Sequence, residues 1–443
     1  MKTKWWCFRV VVVSLAIAVC VQGSSFAEEA ERSFHAHQKQ AVEYARIMSR
    51  VKWTPVAGGI PNRRGGYFKE GTEYTGVPYS SVKTVGRFIG FDIYLKTFLA
   101  AVENPHSVLY TENLSGKVSN AATYYGKVCS TFTSYALQCA LPYRSSHHDP
   151  GFRNGVVLVD PQSAQAAEPG DVIYTPPATV GGGSHVEIVT AVERSGENVT
   201  AVRVEDSWPP TTRNLLRNAS NFDSHISSRG LRLYRITDFD AWRERNKAES
   251  FLFPNYDEDS ATPAINRVLL LDRGDWVPYY RDQAVKFNVM DKDSQGVRSL
   301  VVKRGDTVVE RINVQGKGVI ERLLSDCGDY TAHCVMGDGS LSQACEFSVC
   351  DLDFSLPAET PRRNKPWDIK FTACNLRVVA VRIMNPKPPY KRCIVWLTDQ
   401  DRRSKKVTVP AGLVQDEGLV HVWVIGENKY GRLTRQQEVV VVE

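Results

Sequence analysis

A single cysteine stands at the start of a predicted helix within residues 124–137. The approach to it, Tyr124-Tyr125-Gly126-Lys127-Val128, is typical of a turn, and apolar residues then recur with helical spacing until Pro142. Backbone N–H groups in the first turn of a helix have no intrahelical partner, and they lower the pKa of a thiol placed there. The segment therefore predicts a nucleophilic Cys129, which requires a base and an orienting acid elsewhere in the chain.

Two later residues supply those groups in the order Cys, His, Asp. His185 follows the glycine loop 181–183 and opens a predicted strand. On the next strand Val202, Val204 and Asp206 share one face by the period of two, so Asp206 turns inward if the valines do. An acid at that point can hold the second imidazole nitrogen. Glu205, on the opposite face, is the competing candidate.

The first 27 residues indicate export. Lys2, Lys4 and Arg9 precede an apolar run over 10–21, and Ser25-Phe26-Ala27 fits a cleavage site for a secretory signal peptide. Localisation is therefore predicted as secreted or periplasmic, with no transmembrane segment. Removal of the three positive charges lowers the formal net charge from +6 to +3, which is too mild to indicate a nucleic-acid partner.

Cysteine spacing separates the two halves of the chain. Six of the ten cysteines lie between Cys327 and Cys393, and in an exported protein this clustering predicts disulfides. Cys374 and Cys393 could form one bridge, while the other four allow three connectivities. Cys139 lies ten residues beyond Cys129 on the same predicted helix, about 15 Å away by helical rise, so these two cannot pair.

The periodicity of the chain predicts its domains. Residues 30–248 show helical patterns first, at 37–51, 91–102 and 130–141, and then alternating strands, which indicates an α+β domain. A Pro- and Asp-rich linker is predicted at 249–265, a β-sandwich at 266–352, a second linker at 353–367 and a second β-sandwich at 368–443.

The N-terminal motifs resemble those of the papain-like NlpC-type cell-wall peptidases and their CHAP relatives. Cys129-Ser130, Gly170-Asp171-Val172, His185-Val186-Glu187-Ile188 and, upstream, Gly76-Val77-Pro78-Tyr79 stand on the family's positions. Val128 and Thr131 depart from it, since the family commonly has Asp before the cysteine and Gly after the serine. The resemblance covers about residues 70–210 and implies a papain-like cysteine hydrolase fold, followed here by two immunoglobulin-like sandwiches.

The resemblance also implies the roles of individual residues. Cys129 would be the nucleophile, His185 the base and Asp206 the orienting acid, with Tyr79, Tyr125 and Ser130 contacting substrate. No metal or other cofactor is required. The expected substrate is an amide or isopeptide bond in a peptide, with peptidoglycan stem peptides as the family's example, and the β-sandwiches would bind a cell-surface ligand.

Two other functions remain open. A transglutaminase-like acyl transferase also runs Cys, His, Asp, and Asp206-Ser207-Trp208-Pro209 is faintly similar to its acid segment. A catalytically inactive protein that binds a surface through its C-terminal β-sandwiches is the non-enzymatic alternative, because fold alone does not establish activity.

Overall fold

The computed structural model describes residues 36–80, 83–84, 87–88, 95–112, 114, 120–138, 156–174, 185–239, 268–290, 296–314, 318–385, 392–415 and 417–443. The predicted signal peptide, Cys139, the 181–183 glycine loop and the 249–265 linker lie outside these residues. The helices are α1 (Ala36–Arg50), α2 (Leu95–Val102), α3 (Val108–Thr111), α4 (Cys129–Leu137), α5 (Ala219–Ser228) and α6 (Asp399–Ser404), with a short 3-10 turn at Ala164–Ala166.

The strands of the N-terminal half are β1 (Lys52–Trp53), β2 (Tyr74–Thr75), β3 (Lys83–Thr84), β4 (Arg87–Phe88), β5 (Val156–Leu158), β6 (Val172–Tyr174), β7 (Val186–Ser195), β8 (Asn198–Trp208), β9 (Thr211–Asn218) and β10 (Arg232–Ile236). Those of the C-terminal half are β11 (Leu269–Leu271), β12 (Pro278–Tyr280), β13 (Val285–Val289), β14 (Val297–Arg304), β15 (Thr307–Asn313), β16 (Gly318–Arg322), β17 (Gly328–Met336), β18 (Cys345–Ser355), β19 (Trp367–Cys374), β20 (Arg377–Met384), β21 (Arg392–Trp396), β22 (Lys406–Val409), β23 (Gly418–Asn428) and β24 (Gly431–Val441).

A six-stranded antiparallel sheet organises the N-terminal half, in the order β5-β10-β6-β7-β8-β9. Alternation along β7 sends Val186 and Ile188 into a core with α1, α2 and α4. Val202 and Val204 of β8 enter a second core, where Phe222 of α5 also lies. Helices thus cover both faces of the sheet, and the Ser207 hydroxyl near the end of β8 donates to the Lys127 carbonyl just before α4 (2.6 Å).

The predicted fold class, an α+β papain-like cysteine hydrolase domain followed by two immunoglobulin-like sandwiches, is wrong. The described residues are mostly β-sheet, and no papain-like domain is shown among them. The physical reason is that helical periodicity fills little of the N-terminal half. The predicted helix at 91–102 is described only from Leu95 to Val102, whereas β7, β8 and β9 form long adjoining hairpins.

The C-terminal half has β-sandwich character. The sheet β11-β13-β16 encloses one apolar core against β14, β17 and part of β18, and the sheet β21-β20-β23-β24 encloses another against β19, β22 and the rest of β18. Phe347 and Val349 of β18 enter the first core, whereas Leu352 and Phe354 enter the second. One continuous strand therefore belongs to both cores, and it runs to Ser355, inside the predicted 353–367 linker.

The turn after β11 packs against the helices of the N-terminal half. Its carbonyl oxygens accept hydrogen bonds from the Asn104 side chain (to Leu271, 2.9 Å), the Val108 backbone (to Asp272, 2.9 Å), the Tyr125 hydroxyl (to Arg273, 2.7 Å) and the Thr97 hydroxyl (to Asp275, 3.0 Å). Gly274 fits because a Cβ there would lie 2.4 Å from the Thr97 carbonyl oxygen. The first β-sandwich thus supports the segment that leads to Cys129.

Among the described residues, no helix is both long and apolar enough to cross a membrane.

Candidate functional site

Cys129 is the first residue of α4, as the sequence predicts. Thr131 stabilises this helix end: its hydroxyl accepts a hydrogen bond from the Val128 N–H (2.8 Å) and donates one to the Val128 carbonyl (3.0 Å). The residue that departs from the family pattern therefore acts as one half of a capping box. Cys129 is partly buried, with its backbone in the first helical turn, where N–H groups point toward any group bound at the thiol.

The segment before Cys129 is held against residues 78–80. Lys127 N–H donates to the Pro78 carbonyl (2.9 Å), and the Ser80 hydroxyl donates to the Thr123 carbonyl (2.8 Å). Gly126 is required by this close approach, because a Cβ there would lie 2.6 Å from Ser80 Cβ and 2.7 Å from the Pro78 oxygen. The contact brings Tyr79 and Cys129 to one place.

His185 links Cys129 to Asp206. The His185 Nε2 atom lies 3.0 Å from Asp206 Oδ2, and the Cys129 thiol lies close enough to raise the pKa of the imidazole. Asp206 is fully buried and is held from its other side by Arg213, whose Nε donates to Oδ1 at 2.9 Å while a second guanidinium nitrogen donates to Oδ2. Such a two-point contact fixes the carboxylate plane. The three residues proposed for catalysis therefore form a connected series.

A second carboxylate, Glu187, also faces His185, although the sequence pattern suggested no role for it. Glu187 Oε1 lies 3.4 Å from His185 Nε2, and Glu187 is 1% exposed. On its far side His225 of α5 lies 3.0 Å away and Arg217 of β9 lies 3.7 Å away. Antiparallel pairing places Glu187 directly opposite Asp206, so both carboxylates reach the same imidazole.

The electrostatics of this pair favour a charged imidazole. Burial acts to lower the pKa of His185, but hydrogen bonds with Asp206, Cys129 and Glu187 outweigh it and raise the pKa well above its ordinary value. Burial likewise acts to raise the pKa of Glu187, and the two histidines reverse this and lower it. The two carboxylates therefore favour the protonated form of His185, and the two histidines favour the ionised form of Glu187.

Glu187→Gln should lower the pKa of His185, because it removes one of the two carboxylates that stabilise the imidazolium. A raised folded-state pKa stabilises the protein fully below the ordinary pKa, and that contribution is lost as pH rises through the raised pKa. In the variant this loss should occur at a lower pH. Titration of the His185 ring by proton NMR, assigned with His185→Gln, measures the change.

Glu193→Gln is the matched control, since Glu193 lies on the same strand but is exposed and contacts only Arg203 among its described ion pairs (3.6 Å). An unchanged His185 titration in Glu187→Gln would contradict the assigned contact.

Trp208 covers one side of His185. The two rings meet edge to face with centroids 5.3 Å apart, and the Arg213 guanidinium lies 5.6 Å from the Trp208 ring. Trp208 is 41% exposed, so it shields the imidazole from water on one side and faces solvent on the other. A cleft of about 650 Å³ is lined by Arg50, Arg203 and Arg213 with Ser49, Thr75, Thr211, Thr212 and Asn214, and its lining includes neither Cys129 nor His185.

The predicted substrate residues have different surroundings. Tyr79 is partly buried near Cys129 and Asp206, and its pKa is raised to about 12, first by burial and then by the Cys129 thiol. Ser130 is partly exposed in the first turn of α4. Tyr125 is 2% exposed with its hydroxyl on the Arg273 carbonyl, so its ring offers a substrate no accessible face.

The alternative acid, Glu205, lies on the opposite side of the sheet from Asp206. Its Oε1 accepts hydrogen bonds from Asn214, from Thr190 (3.2 Å) and from Arg50 (3.4 Å). Asp171, part of the Gly170-Asp171-Val172 motif, accepts a hydrogen bond from the Glu168 N–H (2.8 Å) and a two-point contact from Arg235. Both acids therefore have structural partners away from His185.

His185, Glu187 and Asp206 also satisfy the spacing of a metal site, with donor atoms within 4.8 Å of one another. Their other contacts fit that role poorly. Arg213 occupies both oxygens of Asp206, and Arg217 and His225 face Glu187. The guanidinium groups of Arg213 and Arg217 already balance the carboxylates, so the donor set is better suited to holding an imidazolium.

Sequence reasoning missed Glu187, Trp208, Arg213 and His225. A signal existed for two of them. Asn218 followed by Phe222 and Ile226 at helical spacing marks a capped helix that carries His225, and the Pro209-Pro210 turn after Trp208 marks a hairpin whose return strand places Arg213 opposite Asp206.

Comparisons with known proteins give limited similarity. No family model matches the chain, and no curated protein matches it. Among solved structures, fibronectin(III)-like modules of Clostridium thermocellum CbhA match at 14% identity and a TM-score of 0.17, covering 39% of this chain and 93% of theirs. A Dscam structure matches at 12% identity and a TM-score of 0.21, covering 41% of this chain and 45% of its own. This chain thus spans less than half of that Dscam structure, and similarity at these TM-scores carries no argument about activity.

Proposed function

We propose that this protein is a cysteine-dependent hydrolase of amide or isopeptide bonds. The observation that carries the proposal is the position of His185, which lies 3.0 Å from the buried Asp206 carboxylate and close enough to the Cys129 thiol for that thiol to raise its pKa. A nucleophile, a base and a group that orients the base are the set that acyl transfer requires. Stem peptides of peptidoglycan are the first substrates to try, because the predicted export and the motif resemblance both favour them.

The arrangement supports a two-step reaction. The Cys129 thiol passes its proton to the His185 imidazole as Sγ attacks the carbonyl carbon, and N–H groups of the first turn of α4 donate to the oxyanion that forms. His185 gives this proton to the departing amine, which leaves an acyl thioester. Water then attacks the thioester while His185 accepts a proton from it, and His185 returns that proton to the Cys129 sulfur as the carboxylic acid leaves, which restores the thiol. Asp206 and Glu187 stabilise the imidazolium during both steps.

Selective alkylation tests the proposal without a known substrate. Iodoacetamide at pH 6–7 should modify Cys129 about tenfold faster than the exposed Cys374, because His185 beside the Cys129 sulfur can accept the thiol proton. Cys334 and Cys393 serve as internal controls, since burial raises their pKa to about 12 and about 11. Peptide mass spectrometry gives the rate at each site, and a Cys129 that reacts no faster than Cys374 would contradict the proposal.

The reaction product distinguishes a transglutaminase-like acyl transferase from a hydrolase. Incubation with a fluorescent primary amine and a glutamine-containing peptide yields a labelled peptide if the acyl group passes to an amine, and a free acid if it passes to water.

A surface-binding function is the second candidate, favoured by two exposed edge strands. β15 and β16 end their respective sheets, and both present apolar side chains to solvent, with Val308 46% and Val319 44% exposed. Unpaired strand edges of this kind can add a strand from a partner. Co-sedimentation of the Cys129-alkylated protein with isolated cell-wall material tests this function. Binding by the alkylated protein, together with an absence of hydrolysis by the unmodified protein, would favour it.

A further inference from the structure

The strand shared by the two C-terminal cores brings two distant cysteines together. Pairing of β17 with β18 places Gly328 opposite Val349, and pairing of β18 with β19 places Asp351 opposite Cys374. Cys327, directly before β17, and Cys374, at the end of β19, therefore flank β18 at neighbouring positions.

Side-chain contacts close the remaining gap between these segments. The Asn375 side chain donates to Asp329 Oδ1 at 3.0 Å, which joins the residue after Cys374 to a residue just beyond Cys327. The two thiols are close enough for Cys374 to raise the pKa of Cys327. Both are free thiols, Cys374 exposed and Cys327 partly buried.

We infer that Cys327 and Cys374 are a disulfide-forming pair that links the two β-sandwiches across β18, closed by a low-molecular-weight disulfide such as oxidised glutathione. This pairing differs from the Cys374–Cys393 bridge that the sequence suggests. Cys393 lies in β21 of a different sheet, whereas Cys374 lies beside β18, close enough to raise the pKa of both Cys327 and the buried Cys350. Cys334, Cys345 and Cys350 are fully buried in the cores.

The chemistry assigns an order to the two sulfurs. Burial, with the adjacent Cys374 thiol, raises the pKa of Cys327 to about 12, so the exposed Cys374 reacts first. Its thiolate attacks one sulfur of oxidised glutathione and releases glutathione thiolate. Cys327 then loses its proton to solvent and displaces the second glutathione. One protein disulfide forms, two thiols of the protein are oxidised, and one glutathione disulfide is reduced to two thiols.

The test uses the full chain, equilibrated with oxidised glutathione and mapped by non-reducing peptide mass spectrometry. We expect one peptide pair, joining Cys327 to Cys374, and a rise in the thermal unfolding midpoint of roughly 5 °C over the reduced protein. Cys327→Ser and Cys374→Ser should lose both, and Cys393→Ser should keep both. Midpoints of the reduced serine variants that match the reduced wild type exclude a folding defect.

Three results would overturn the inference. Both thiols could remain free in excess oxidised glutathione, Cys374 could be recovered joined to Cys393 or Cys350, or the rise could persist in Cys374→Ser. None of these bears on Cys129, whose alkylation rate tests the hydrolase proposal separately.

Discussion

Cys129→Ala should reduce amide hydrolysis by at least about 10³-fold while leaving the folded protein intact. The Cys129 sulfur forms the acyl intermediate. Because the nucleophile and its base act as a unit, removal of the nucleophile eliminates nearly all of the rate enhancement that the pair provides. The structural cost is small, because Cys129 is partly buried at a helix end that Thr131 caps independently. Release of free carboxylate from stem peptides, measured beside far-UV circular dichroism, gives both results.

Cys374→Ser is the matched control for this variant, since it removes an exposed thiol far along the sequence from the candidate site. It should hydrolyse at the wild-type rate. Hydrolysis retained in Cys129→Ala would refute the assigned nucleophile, whatever the control does.

Asp206→Asn should have the second largest effect, acting on both activity and stability. The substitution leaves the Arg213 guanidinium without its anionic partner and removes one of the two carboxylates beside His185. We expect a loss of hydrolysis on the order of 10³-fold, because the imidazole loses the group that fixes its orientation and tautomer. The free energy of unfolding should fall by about 2 kcal/mol, moderated because Arg213 is 32% exposed.

Asp171→Asn separates these two effects. Asp171 is also fully buried and makes a two-point contact with an arginine of the same sheet, Arg235, but the described contacts of this pair do not include His185. It should lose similar stability in urea unfolding and keep both its His185 titration and its hydrolysis. If the two variants lose activity equally, Asp206 serves the fold rather than the reaction.

The sequence predicted local elements better than the architecture they build. The helix predicted at 37–51 is confirmed at Ala36–Arg50, and the helix beginning near Cys129 at Cys129–Leu137. Such elements bury one apolar face, and that face appears in the sequence as a regular spacing of apolar residues. The proportion of sheet to helix could not be predicted, because it depends on which of the segments without a regular apolar pattern pair with a neighbouring strand.

β9 illustrates why the remainder could not be predicted. Leu215 and Leu216 are its only strongly apolar residues, so no alternating pattern marks it as a strand. Its polar residues instead bind groups of other elements: the Thr212 hydroxyl donates to the Met48 carbonyl of α1 at 2.7 Å, and Arg213 pairs with Asp206 of β8. The contacts of Glu187 could not be predicted for the same reason, since its partner His225 lies on a helix that was not predicted.

The turn after β11 affects how the activity of a truncated form of this protein should be interpreted. A chain that stops at residue 265 would contain Cys129, His185 and Asp206, yet Asn104, Tyr125 and Thr97 would lose the carbonyl acceptors that lie at 271–275. Buried donors without acceptors destabilise a fold by about 1–3 kcal/mol each. An N-terminal fragment that lacked activity would thus indicate a loss of stability and not the absence of catalytic groups. A fragment that tests the reaction must include the turn at 271–275 as well as Cys129, His185 and Asp206.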